Sequence, residues 1–337
     1  MPGASRFRTA QLSGATGASQ IVLRGGGMRI LVTCPPMLGV IDRFEAHFSN
    51  CGAELTTPEV VQVLTEEQLI ELLPDHDGWI VGDDPATAKV LQAGRDGRLR
   101  AVIKWGIGID NIDLDAIKRL DLRFANTPGM FGSEVADVAM SYVTALARGT
   151  FYIDRRIRCG EWPKPRGISL GGKIMALVGV GDIGRNVARR ALAADMSVRG
   201  YDPAFDPRTV PPEVEQCEWP RGLDKADFIV FTCALTDSNF HMFDSECVSR
   251  LKPGVRVVNV ARGGLVDEAA LVDGLRRGIV HSAALDVMEH EPLLQDSPLR
   301  EFEKCVFGSH NASNTEEAVI RTTTRAIEEL FTCLARQ

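Results

Sequence analysis

Six residues, Lys173 to Val178, lead into Gly179-Val-Gly181-Asp182-Ile183-Gly184, and the chain continues with Ile183, Val187, Ala188, Ala191 and Leu192 at helical spacing. A buried-type strand, a glycine turn and an amphipathic helix in direct succession constrain the fold more than any other feature of the sequence. The first glycine permits the tight turn. The second lets backbone approach a pyrophosphate, and the third lets helix and strand pack closely, while the helix N-terminus supplies N–H groups and positive dipole. This context makes the signal specific, since a bare G-x-G-x-x-G is weak. Eighteen residues past Gly184 a second strand ends at Asp202, in Gly200-Tyr201-Asp202-Pro203. A carboxylate there accepts both adenosine-ribose hydroxyls and repels a 2′-phosphate, so the loop reads as a site for NAD (NADH) rather than NADP.

The rest of the chain reads as βα alternation around this unit. At 337 residues it is long enough for two domains of roughly 150 residues each. From Met28 the pattern runs MRILVT (28–33), amphipathic stretches near 41–51 and 65–73, GWIVG (78–82), a helix near 86–93, LRAVIK (99–104), a glycine-bearing turn from Trp105 to Asp110, a helix 112–119 and LRFA (122–125). Asn126-Thr-Pro-Gly129 breaks the pattern, and residues 132–149 then form a long helix with Val135, Val138, Ala139, Tyr142, Val143 and Leu146 on one face. A Pro- and Gly-bearing linker, 161–172, precedes the second alternation, whose later strands fall at 197–201, 226–232, 255–260, 280–285 and 304–307. Asn314 and Glu317 read as the capping pair of a last helix that is free to pack back on the first unit.

Composition excludes several classes. Apolar residues are 45% and charged residues 25%, which argues against disorder, collagen-like repeats and coiled coil. A net charge of −7 with no basic stripe argues against nucleic-acid and membrane-surface partners, and no apolar run approaches the roughly 20 residues of a membrane span. Eight cysteines without a C-x-x-C pair suggest reduced thiols and a cytoplasmic protein. Residues 1–27, rich in Gly, Ser, Ala and Thr, read as a flexible leader. The histidines at 47, 76, 241 and 281 show no metal-ligand spacing, so no metal is expected.

Three polar groups follow the ends of strands in the second unit, where open α/β sheets hold their ligands: Arg262, Glu291 and His310. A guanidinium, with its fixed fork of donors, can hold a carboxylate and polarise a carbonyl, so Arg262 is the candidate for that part. An imidazole tuned near neutral pH delivers the proton that reduction requires, which points to His310. A neighbouring carboxylate orients the ring and raises its pKa, a part assigned to Glu291 rather than Glu289. Lys104, just before the turn at 105–108, is a candidate for an extra anionic group on a substrate, such as a phosphate, and equally a solvated lysine.

The strings around these residues are Asn259-Val-Ala-Arg262-Gly-Gly-Leu-Val-Asp-Glu268, Asp286-Val-Met-Glu-His-Glu291-Pro292 and Gly308-Ser-His310-Asn-Ala-Ser313. With Gly106-Ile-Gly108-Ile-Asp110-Asn-Ile-Asp113 and Asn126-Thr-Pro-Gly129, they resemble the D-isomer-specific 2-hydroxyacid dehydrogenases from Met28 to the C-terminus, and phosphoglycerate dehydrogenase-like members most. The resemblance implies an α/β protein in which a Rossmann NAD-binding domain, 127–311, is inserted into a flavodoxin-like substrate-binding domain formed by 28–126 and 312–337. It implies a homodimer built through the helix at 132–149, and backbone N–H groups of Ile107 and Gly108 as a second clamp on the substrate carboxylate. Gly179, Gly181, Asp182, Ile183, Gly184, Asp202, Ala261 and Asp286 become the cofactor residues, Asp286 near the nicotinamide carboxamide.

The implied activity is NAD-dependent interconversion of a small D-2-hydroxy acid and its 2-keto acid, with 3-phosphoglycerate, glyoxylate and hydroxypyruvate among the possibilities. An NAD-sensing dimeric corepressor without turnover is the alternative from another class. Two departures from the family pattern, Ser309 where proline is usual and Met288 where phenylalanine is frequent, bear on the placement of the His310 ring and on substrate preference.

Overall fold

The structure is a computed structural model and describes residues 27–335. The leader expected over residues 1–27 therefore lies outside the described residues, apart from Gly27. Two wholly parallel sheets organise the rest. The first contains β1 (Met28–Val32), β2 (Ala53–Thr56), β3 (Gly78–Val81), β4 (Ala101–Lys104) and β5 (Arg123–Asn126) in the order β2-β1-β3-β4-β5. This is the flavodoxin-like strand order. The central strands β3 and β4 are buried along their whole length, which is why GWIV and AVIK read as apolar runs rather than as alternation.

The second sheet contains β6 (Ile174–Val178), β7 (Ser197–Tyr201), β8 (Glu215–Cys217), β9 (Phe228–Phe231), β10 (Val255–Asn259), β11 (Val280–Leu285) and β12 (Val306–Phe307). Its order is β12-β11-β10-β9-β6-β7-β8, the doubly wound arrangement with one strand added at the β12 edge. The order reverses between β6 and β9, so a crevice opens beyond the carboxyl ends of those two strands. The glycine turn after β6 lies at that point.

The helix Gly132–Arg148 leaves the first unit and packs along the helix Asp182–Ala193, with Val135, Ala136, Ala139, Val143 and Leu146 in the core it shares with both sheets. It stops at Gly149, whose φ of 67° is the left-handed conformation glycine adopts without strain. The helix Glu316–Ala335 returns to the first sheet and packs on β3, β4 and β5. Trp105 Nε1 donates to Thr323 Oγ1 at 3.2 Å across that contact, and Phe48 meets Phe331 with ring centroids 5.8 Å apart.

Local signals set most element starts. Thr65 and Gln68 form a capping box, and Thr87, Asp113, Asp244 and Asp267 each accept from a backbone N–H of the helix that follows. The last helix differs from expectation: Thr315 accepts from Ala318 N at 3.2 Å, whereas Asn314 turns back to Asn311. Thr315 stands three residues before Ala318, the spacing a capping oxygen requires, so the cap falls one residue later than the Asn314–Glu317 reading. The short strands β2 and β8 and the helices Thr150–Arg158 and Glu268–Arg276 were not anticipated. None of the helices among the described residues is long and apolar enough to cross a membrane.

Candidate active site

One continuous cleft of about 1930 Å³ runs between the carboxyl ends of the two sheets, and it is walled by residues from both. Its dinucleotide end is built by the glycine turn. Gly179 has φ 93°, and a Cβ there would lie 2.5 Å from Cys233 N, so both conformation and space demand glycine. A Cβ on Gly184 would lie 2.1 Å from the Gly179 carbonyl, which measures how closely helix and turn approach. Gly181 meets nothing within 4 Å, and as N-cap of the helix Asp182–Ala193 it offers no side chain to the first N–H groups. An open space in front of uncapped helical N–H groups fits a pyrophosphate. Asp202 reaches back to this turn, accepting from Val180 N and Ala204 N at 2.8 Å each. Each carboxylate oxygen keeps a lone pair for a ribose hydroxyl. Asp182, Ile183 and Ala261 also face the cleft.

At the other end the structure brings Arg262, Glu291 and His310 together. Arg262 lies in the turn after β10, which Asn259 braces by donating to the Arg262 carbonyl at 2.8 Å and accepting from Ala261 N at 3.0 Å. The next residue must be glycine, since a Cβ on Gly263 would stand 1.9 Å from the Met288 carbonyl. The guanidinium crosses to the first sheet's side of the cleft, where its Nε meets both oxygens of Asp110 at 3.0 and 3.1 Å. Its Nη2 lies 1.9 Å from where a Cβ on Gly108 would be, so the bare backbone of the 105–108 turn is what admits it. Ile107 and Gly108 line the cleft at this point.

His310 has φ 55°, a left-handed conformation uncommon outside glycine, held by its own N–H donating to the Asp286 carbonyl at 2.7 Å. Its Nδ1 lies 2.8 Å from Glu291 Oε2, and its Nε2 lies 3.5 Å from Arg262 Nη1. Glu291 is itself fixed by Met288 N, which donates to Oε1 at 3.0 Å. Burial alone would lower the imidazole pKa. The Glu291 hydrogen bond and the charges of Asp83 and Glu291 outweigh both burial and the opposing Arg262, so the net shift is upward from 6.5.

Three neighbours of this cluster are held by partners of their own. Glu289, two residues from Glu291, turns away and accepts from Glu268 N at 2.8 Å. Asp286 reaches the cleft wall, but its oxygens are engaged by Ala312 N at 2.9 Å and Tyr142 Oη at 3.3 Å, so it braces the His310 loop. Lys104 also reaches the cleft, yet its side chain is only 2% exposed, and its ammonium donates to the Gly82 carbonyl and to Asp83 at 2.8 Å. A buried ammonium requires such partners, because an unpaired one is costly.

Two residues of the site were given no role by the sequence reading: Asp83, and Asp110, which it named only as part of a turn and a motif. Asp83 ends the turn after β3, and its carboxyl is held well below the usual range: burial opposes this, but Lys104, His310 and Arg262 overcome it. The rule that singled out Arg262, a polar group just past a strand end, applies equally to Asp83. Away from this site, His241, Asp267 and Glu289 place ligand atoms within 4.8 Å of one another. They come from three separate loops, which hides them from any reading of spacing. Two of them are already engaged, Asp267 as a helix cap and Glu289 with the Glu268 N–H, while His241 Nε2 lies 3.2 Å from Glu289 Oε1 without a hydrogen bond.

A doubly wound sheet with a dinucleotide turn, joined across a cleft to a flavodoxin-like sheet and an Arg–His–Glu cluster, defines a nicotinamide-dependent dehydrogenase as the class. Residues 140–312 match the family model described as the D-isomer specific 2-hydroxyacid dehydrogenase, NAD binding domain. A hydroxypyruvate reductase of Thermotoga maritima is 35% identical over 80% of this chain and 88% of its own length. A D-3-phosphoglycerate dehydrogenase of Methanocaldococcus jannaschii is 33% identical over 86% of this chain, which spans only 54% of that longer protein. The crystal structure of a glyoxylate reductase from Paecilomyes thermophila superposes with a TM-score of 0.81 at 25% identity, covering 92% of this chain and 96% of that one. The chain belongs to the D-isomer specific 2-hydroxyacid dehydrogenase family. It is an NAD-dependent enzyme interconverting a D-2-hydroxy acid and its 2-keto acid, and these relatives favour that over a corepressor without turnover.

Proposed function

We propose that Arg262, His310 and Glu291 carry the reaction and that the substrate is a small 2-keto acid of the glyoxylate or hydroxypyruvate kind, as the names of two relatives suggest. The observation that carries this reading is the Glu291–His310–Arg262 chain of contacts, at 2.8 and 3.5 Å, on the wall of a cleft whose other end fits a dinucleotide. Bound NADH supplies the hydride that C2 of the keto acid accepts. Arg262 holds the substrate carboxylate and draws on the C2 oxygen, assisted by the N–H groups of Ile107 and Gly108. With Nδ1 engaged by Glu291, His310 keeps Nε2 toward Arg262 and gives its proton from there to the C2 oxygen. In oxidation the neutral ring takes the proton back.

The proposal includes a domain division at 127–311 for the nucleotide unit, with 28–126 and 312–337 as the substrate unit, a cytoplasmic location and a homodimer. Much of the helix Gly132–Arg148 is buried within its own protomer, so the dimer surface extends to the exposed Phe151, Ile157 and Trp162 that follow it. The catalytic assignment is checked by NADH oxidation with glyoxylate and hydroxypyruvate. His310→Ala and Arg262→Ala should each lower kcat/KM by about 10² to 10⁴ while the NADH dissociation constant changes little. Turnover surviving in either variant would remove that residue from the chemistry.

A further inference from the structure

Among the described residues, four cationic side chains line the cleft: Arg43, Lys104, Arg262 and His310. Each has a carboxylate within hydrogen-bond distance. Arg43 meets Glu316 at 2.9 Å, Lys104 meets Asp83 at 2.8 Å, Arg262 meets Asp110 at 3.0 Å and His310 meets Glu291 at 2.8 Å. A substrate's own carboxylate can still use the remaining Arg262 donors and the N–H groups of the 105–108 turn. A second anionic group would find its best cation, Lys104, buried behind Asp83, and would meet the Asp83 carboxylate instead. That carboxylate is 38% exposed while the lysine is 2% exposed, and its Oδ2 lies 3.8 Å from His310 Nδ1, inside the reaction end of the cleft.

Resting on the functional reading above, we propose that Asp83 is a specificity-determining residue that masks Lys104 and selects 2-keto acids with an uncharged C3 substituent over those carrying a phosphate or second carboxylate there. The discrimination is electrostatic. It adds the repulsion of a fixed anion to the loss of the one buried cation able to receive the extra charge. The two residues act in opposite senses, and this makes the proposal testable.

The experiment compares kcat/KM for hydroxypyruvate with that for 3-phosphohydroxypyruvate in the wild type, Asp83→Asn and Lys104→Gln. Binding of the same two acids to the NADH complex, followed by nucleotide fluorescence, supplies a ratio that needs no turnover. The wild type should prefer the unphosphorylated acid. Asp83→Asn, which unmasks Lys104, should shift the ratio toward the phosphorylated acid by roughly tenfold or more, and Lys104→Gln, which leaves the carboxylate without its counter-ion, should shift it the other way. A variant that does not fold leaves the other to decide, since either shift alone has a defined sign. If Asp83→Asn lowers both rates and moves the pH profile while the ratio stays constant, Asp83 acts only through His310 and the proposal is overturned. A wild type that prefers the phosphorylated acid overturns it as well. Absence of turnover with both acids, together with the expected binding ratios, would remove the functional reading and leave the role of Asp83 intact.

Discussion

His310 is surrounded by groups that push its proton in different directions. Glu291 touches Nδ1, Asp83 lies 3.8 Å away, and Arg262 opposes both from the Nε2 side, with an upward net shift. Reduction requires the imidazolium, so its rate should hold below the raised pKa and fall as pH rises through it; oxidation, which requires the neutral ring, should rise there. Replacing Glu291 by Gln removes the leading upward contribution. The alkaline limb of keto-acid reduction should then move to lower pH, measured as kcat/KM against pH. A limb that stays in place would mean that Glu291 does not act on the imidazole. Choosing Glu291 over Glu289 was possible in the sequence because of its spacing of five from Asp286, yet the physical separation is visible only in three dimensions. Glu289 is drawn away by the Glu268 N–H and His241, partners some 20 and 50 positions distant in the chain.

The turn after β6 separates what glycine does for folding from what it does for binding. At Gly184 a side chain would strike the Gly179 carbonyl at 2.1 Å, whereas at Gly181 it would meet nothing within 4 Å. Gly184→Ala should therefore lower stability by about 1–3 kcal/mol and weaken NADH binding, while Gly181→Ala should weaken NADH binding with little change in Tm. Thermal unfolding and a nucleotide fluorescence titration distinguish the two. Equal losses of Tm would show that the space before Gly181 is needed by the fold rather than by a ligand. This turn and the buried runs of β3, β4 and β6 were legible in the sequence, because a parallel strand buried on both faces leaves an unbroken apolar signature. The edge strands β2 and β8 were not. Ala53–Thr56 and Glu215–Cys217 are short and partly solvated, and they become strands only because β1 and β7 offer unpaired edges.

Across the whole molecule, the Arg262–Asp110 pair joins residues 152 positions apart and ties the turn after β10 to the turn after β4. The site is thus assembled from both sheets. The quaternary part of the proposal makes its own demand. Trp162 is 78% exposed and follows the exposed Phe151 and Ile157, so Trp162→Glu should shift the protein toward monomer in light scattering behind size-exclusion chromatography. A protein that elutes as a monomer before mutation would remove the dimer from the proposal.

Sequence alone was sufficient where the information is local: a turn that only glycine can make, a strand too apolar to face water, and a string of motifs whose order marks the family. It could not say which charges neutralise one another. The masking of Lys104 by Asp83, the bracing of the His310 loop by Asp286 and the anchoring of Arg262 on Asp110 join segments 21 to 152 residues apart. Coulombic and hydrogen-bond energies depend on distance in space and on burial, and neither exists until the two sheets have closed on their common cleft.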